Sequence, residues 1–149
     1  MARIAGSASK EIDAPLDEVW ALVEDVLIAP DWQDGLLSMT ALEHDDQGRA
    51  TLVETKSDAK VRTVTSRVRF TYEGPTRLSW RQEEGELKSL DGSWTLEDLG
   101  DGRTRATYEI DGDPGRMLGM LMRGPVEGAV RSHLVDARPA ELKERVERG

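Results

Sequence analysis

Leu78-Ser79-Trp80-Arg81-Gln82, Gly92-Ser93-Trp94-Thr95-Leu96 and Arg105-Ala106-Thr107-Tyr108-Glu109-Ile110 decide the fold. In each segment large apolar residues alternate with polar ones. A period of two means a sheet with one dry and one wet face. Leu99-Gly100-Asp101-Gly102 joins the last two segments as a hairpin turn. Upstream, Val61 to Tyr72 reads as a long strand with Val64, Ser66, Val68, Phe70 and Tyr72 on one face. Met39 to His44 and Ala50 to Thr55 form another hairpin about Asp45-Asp46-Gln47-Gly48, where glycine suits a positive φ. Ser57-Asp58-Ala59-Lys60 reads as a further turn.

The ends of the chain supply helices. Ile4 to Ile12 reads as a first strand. Pro15 then opens a helix, since its missing N–H would be unpaired there. Asp17 and Glu18 suit its positive end, and Val19, Trp20, Leu22, Val23 and Val26 follow at helical spacing. Pro30 stops this helix, and a second short one is expected over Asp31 to Leu37. After Asp113-Pro114-Gly115 comes a long helix with an apolar stripe of Met117, Leu118, Leu121, Met122, Val126, Val130, His133, Leu134 and Ala137. Gly124-Pro125 is expected to break it and Pro139 to bend it again. The expectation is one α+β domain over residues 1–149: a curved antiparallel sheet of about seven strands, two short helices and one long C-terminal helix.

Composition bounds the function. At 149 residues a single domain with a sizeable core is expected. The charged fraction of 33% fits a sheet with one face in water. A net charge of −9 disfavours nucleic-acid partners, whose phosphates repel an acidic chain. No run approaches the length of a membrane span, the N-terminus lacks an apolar signal core, and the expected location is cytoplasmic. The absence of cysteine excludes disulfides, thiolate catalysis and thiolate metal sites. No metal and no cofactor is expected, and the oligomeric state is open.

Three local patterns carry a resemblance. Ile12-Asp13-Ala14-Pro15 runs into Glu18-Val19-Trp20-Ala21-Leu22-Val23, Pro30-Asp31-Trp32 follows, and Gly92-Ser93-Trp94 precedes Leu99-Gly100-Asp101-Gly102-Arg103-Thr104 and Tyr108. With the order strand, two helices, six strands and long helix, the chain resembles the START/polyketide cyclase (SRPBCC) superfamily over residues 3 to 148. Within it, the chain most resembles the polyketide cyclase/dehydrase and coenzyme Q-binding-like branch. The resemblance implies a helix-grip fold whose cavity holds a lipid, polyketide or quinone. Some such proteins carry ligands and others cyclise or dehydrate them, so fold alone does not fix activity.

The residues expected to line such a cavity are Trp32, Val68, Phe70, Tyr72, Trp80, Trp94, Tyr108, Met117, Leu121, Val130 and His133. The two tyrosines sit on the apolar parity, where a phenol needs a hydrogen-bond partner and can orient a ligand carbonyl. His133 is the candidate acid or base; His44 reads as an exposed turn residue, and Trp20 as helix-to-sheet packing. Arg62, Arg67 and Arg69 read as wet-face residues paired with acids, unless a bulge turns one inward as an anion clamp. The methionines and glycines of residues 115–128 suggest a gate. No Gly-x-Ser-x-Gly elbow, phosphate loop or metal-ligand spacing occurs. Three readings remain open: a carrier or sensor of a hydrophobic small molecule, a polyketide cyclase/dehydratase, and a protein-interaction module.

Overall fold

The structure, a computed structural model, describes residues 4–58, 62–121 and 135–148, without the side chains of 117, 118 and 121. Seven strands form one antiparallel sheet: β1 (Ile4–Ile12), β2 (Leu36–His44), β3 (Ala50–Asp58), β4 (Thr63–Glu73), β5 (Arg77–Gly85), β6 (Ser89–Gly100) and β7 (Arg103–Asp113). Their spatial order is β1-β7-β6-β5-β4-β3-β2. Helix α1 (Leu16–Glu24) and a 3-10 helix (Val26–Asp31) connect the two edge strands, and α2 (Gly115–Leu121) and α3 (Arg138–Arg148) follow β7. This is the expected α+β helix-grip architecture.

Alternation places the residues as read. On β4, Val64, Ser66, Val68 and Phe70 are buried, while Arg67 between them and Thr71 beyond them are exposed. The hairpin turns adopt the backbone their glycines permit, with Gly48 at φ +80 and Gly100 at φ +83. At the first corner, Pro15 caps α1 and its carbonyl accepts from the amides of Glu18 and Val19. Val19, Trp20 and Val23 then point into the core. Thr104 of β7 is fully buried, and its Oγ1 donates to the Ala14 carbonyl at 2.8 Å, tying that corner to the sheet.

The first two helices differ from expectation: α1 ends at Glu24, so Val26 and Pro30 belong to the 3-10 helix that follows it. The short second helix is a 3-10 turn at Val26–Asp31 rather than a helix over Asp31 to Leu37. Gly35, at φ +84, reverses the chain, so Leu36 and Leu37 already belong to β2. Pro139 lies in the first turn of α3, where a missing N–H leaves no bond broken, and residues 135–137 just before it depart from α-helical geometry. Gly124-Pro125 lies outside the described residues, as does the second half of the suggested gate, residues 122–128.

Candidate functional site: an aromatic cavity under the sheet

Between the concave face of the sheet and the helices lies a cavity of about 130 Å³. Val68 and Phe70 of β4, Trp80 of β5, Trp94 of β6 and Tyr108 of β7 form its sheet side. Val23 of α1, Val26 and Ala29 of the 3-10 helix, Trp32 beyond it and Arg138 of α3 face them. The register explains how the rings meet. Phe70 pairs directly with Trp80, and Trp94 with Tyr108. Trp80 pairs with Gly92, which has no side chain, and its indole lies across that glycine. A Cβ at position 92 would stand 2.3 Å from the indole. Trp80 thereby crosses β6 and reaches Tyr108 on the next strand, with ring centroids 5.7 Å apart. A continuous wall results: Phe70 to Trp80 at 5.7 Å, Tyr108 to Trp94 at 4.8 Å and Trp94 to Trp32 at 6.2 Å. Such tilted, offset pairs are favourable for aromatic quadrupoles.

Six of the expected lining residues stand on this wall: Trp32, Val68, Phe70, Trp80, Trp94 and Tyr108. Tyr72 does not line the cavity. It shares the β4 face, but sits at the strand's end, where its hydroxyl donates to the Ala50 carbonyl. The Arg49 guanidinium stacks 4.5 Å from its ring centroid. Asp45 and Glu24 hold that guanidinium at 2.9 and 3.2 Å. Burial pushes the Tyr72 phenol up to about 12, against the opposing pull of the Arg49 charge. This phenol is a structural lock. The side chains of Met117 and Leu121, and Val130 and His133 altogether, lie outside the described residues. Trp20 packs on Gly74 and is not a cavity residue. His44 is exposed at the end of β2.

The β4 arginines face water. Arg67 pairs with Glu54 at 3.3 Å and with Glu84, and Arg69 pairs with Glu43 and Glu83. A bulge does occur here, but on the other strand. Arg67 is opposite Glu84 and Val68 opposite Gln82, so the extra residue is Glu83 of β5. The β4 alternation is undisturbed and neither arginine turns inward.

Among the described residues the buried arginine is Arg138, only 3% exposed, which the strand-based reading missed. Its Nη1 donates to the Asp34 carbonyl at 2.7 Å and to Glu141 Oε1 at 2.8 Å. Glu141 Oε2 in turn accepts from the Asp34 amide at 2.8 Å. Both backbone groups of Asp34 are thus gripped by α3, which fixes the segment carrying Trp32. The sequence did hold a signal. Arg138, Leu142 and Val146 recur every four residues, so a lone cation occupies the apolar stripe of the last helix.

The cavity's polar groups divide in two. Ser66 is satisfied by Gln82 at 2.7 Å, and Gln82 by the Leu87 carbonyl at 2.8 Å. Among the described residues, the buried side-chain donors without a partner are Trp32 Nε1 and Arg138 Nε, and both residues line the cavity. An unmade hydrogen bond at a buried donor costs roughly 1–3 kcal/mol, so these donors suit an incoming acceptor. Burial raises the Tyr108 phenol above its ordinary value, while the charge and hydrogen bond of the adjacent Arg138 work against that shift. A guanidinium has no acceptor, so Arg138 donates in that contact. Among the described residues, no carboxylate or imidazole lines the cavity, and no cluster of three His, Cys, Asp or Glu could hold a metal. No described helix is long and apolar enough to cross a membrane.

Comparison with known proteins agrees with this fold. The family model described as polyketide cyclase/dehydrase and lipid transport matches residues 12–137. A START superfamily protein from Mycobacterium smegmatis superposes with a TM-score of 0.76 at 17% identity, over 97% of both chains. A protein from Thermus thermophilus gives 0.81 at 18% identity, again over 97% of both. The Zhui aromatase/cyclase from Streptomyces sp. R1128 gives 0.74 at 20% identity, over 98% of this chain and 94% of that one. No curated protein matches significantly.

Proposed function

Because the chain belongs to the polyketide cyclase/dehydrase and lipid transport family, we propose that it binds a hydrophobic small molecule, a polyketide, lipid or quinone, as a carrier or sensor. The observation that carries this reading is the aromatic cavity, with its apolar wall and its few polar groups. Ligand sites in general combine a predominantly apolar lining with a small number of placed polar groups. A void of roughly 150 Å³ in a protein core accepts a benzene-sized ring, so the described walls suit a flat ring or one ring of a larger molecule.

A second reading is cyclisation or dehydration of a polyketide-like substrate. It is favoured by a guanidinium, Arg138, and a phenol, Tyr108, that line the same cavity, groups able to polarise a carbonyl and stabilise an enolate. Native mass spectrometry of the purified protein, with organic extraction, tests the first reading. A co-purified apolar compound, or saturable quenching of tryptophan fluorescence by added aromatic ketones, is the expected result. A ligand-free mass together with no saturable quenching overturns it. Turnover of a supplied poly-β-ketone would move the assignment to the second reading.

A further inference from the structure

Arg138 is a buried cation whose charge is already answered. Glu141 stands 2.8 Å from its Nη1, and that same nitrogen also serves the Asp34 carbonyl. Its Nε has no partner, and neither has the Nε1 of Trp32. Trp32 lies two residues before Asp34, whose amide and carbonyl both bond to the α3 pair. The same clamp therefore holds the two residues that carry the unpartnered donors, and both residues line the cavity. Tyr108, on the sheet, lines the same cavity.

We propose that Arg138 Nε and Trp32 Nε1, beside Tyr108, form a donor site for an uncharged oxygen of the ligand. The cavity then selects ketones and quinones over hydrocarbons of the same shape and over carboxylates. This rests on reading the cavity as a ligand site. Donors without acceptors call for an oxygen lone pair, which a hydrocarbon lacks. A carboxylate would bring a second negative charge to a guanidinium that Glu141 has neutralised, in a site sheltered from water. A carbonyl oxygen satisfies the donors and adds no charge.

The test compares 1-indanone, indane and indane-1-carboxylate by isothermal titration calorimetry on the full chain. Indanone should bind on the order of tenfold more tightly than indane, as expected for two net hydrogen bonds, and more tightly than the carboxylate. In Trp32→Phe, which keeps a ring against Trp94 but loses the donor, the ratio of indanone to indane affinity should fall about threefold. In Arg138→Met it should fall at least as far, because the clamp that holds the Trp32 segment is lost together with the donor. If Arg138→Met does not fold, Trp32→Phe carries the test alone. Equal binding of indanone and indane to the native protein overturns the proposal, as does a preference that survives in Trp32→Phe, or tighter binding of the carboxylate. Indane binding reports on the cavity alone. Failure of all three probes to bind overturns the ligand-site reading and this proposal with it.

Discussion

The outer face of β4 and the floor of the cavity both carry arginine–glutamate pairs, yet the two do different work. On the outer face, Arg67 and Glu54 are about half and a third exposed, and water competes for every bond they make. At the cavity floor, the Arg138 side chain is 4% exposed, with Glu141 beside it. Exposed pairs contribute about 0–1 kcal/mol because screening and side-chain entropy offset their attraction. Breaking a buried pair costs more, since the partner is left charged and unsolvated. The outer pairs keep a strand soluble; the inner one positions a loop and presents a donor.

Glu141→Ala is the strongest way to test that contrast. It leaves Arg138 unpaired and frees the Asp34 amide, and a loss of roughly 3–5 kcal/mol in denaturant unfolding is expected. A loss below about 1 kcal/mol would place Arg138 in the same class as its surface counterparts. Gly92→Ala comes next. The new methyl collides with the Trp80 indole, and overpacking of this kind costs about 1–3 kcal/mol. The displaced indole should also change the tryptophan emission; an unaltered spectrum and midpoint would show the seat to be loose.

Alkaline titration sharpens the comparison at the phenols. Burial raises Tyr72 to about 12 and raises Tyr108 as well, whereas unfolded tyrosine ionises near 10. A raised phenol pKa favours folding below pH 10. That contribution drains away as pH rises from 10 toward 12, because the unfolded chain releases its protons first. Phenolate absorbance and loss of circular dichroism should therefore rise together above pH 10. Phenolate formed at pH 10 in a chain with native dichroism would contradict the burial of both rings. The smallest effect is expected of Arg67→Ala, under about 1 kcal/mol at moderate salt. A larger loss would give the outer face a structural part in the fold.

What the sequence conveyed follows the same division. Strand alternation is a binary code, and it placed Val68, Phe70, Trp80, Trp94 and Tyr108 on the cavity side and Arg67 and Arg69 in water. Glycine and proline marked the turns at Gly48 and Gly100. The same code could not show that Tyr72, on the correct face, lies at a strand end and is taken by Ala50 and Arg49. Nor could it show that Gly92 opens a path for Trp80 across β6, because that depends on register between strands. Arg138 was missed for another reason. A helix face is read from apolar spacing, and a cation on that face is passed over unless the stripe is followed through it.

The sheet order has a consequence for how the chain is made. Strand β1 pairs only with β7 among the described strands. The buried bond that ties this corner joins Thr104 to Ala14, 90 residues apart. At a synthesis rate of about 5–20 residues per second, β1 waits roughly 5–20 s for its partner. Contacts so distant in sequence also slow the closing step itself. During that interval the polar wet face of Ser7, Ser9 and Glu11 protects a nascent strand whose hydrogen-bonding edge is still open, a lag a chaperone would have to cover in a protein with a greasier first strand.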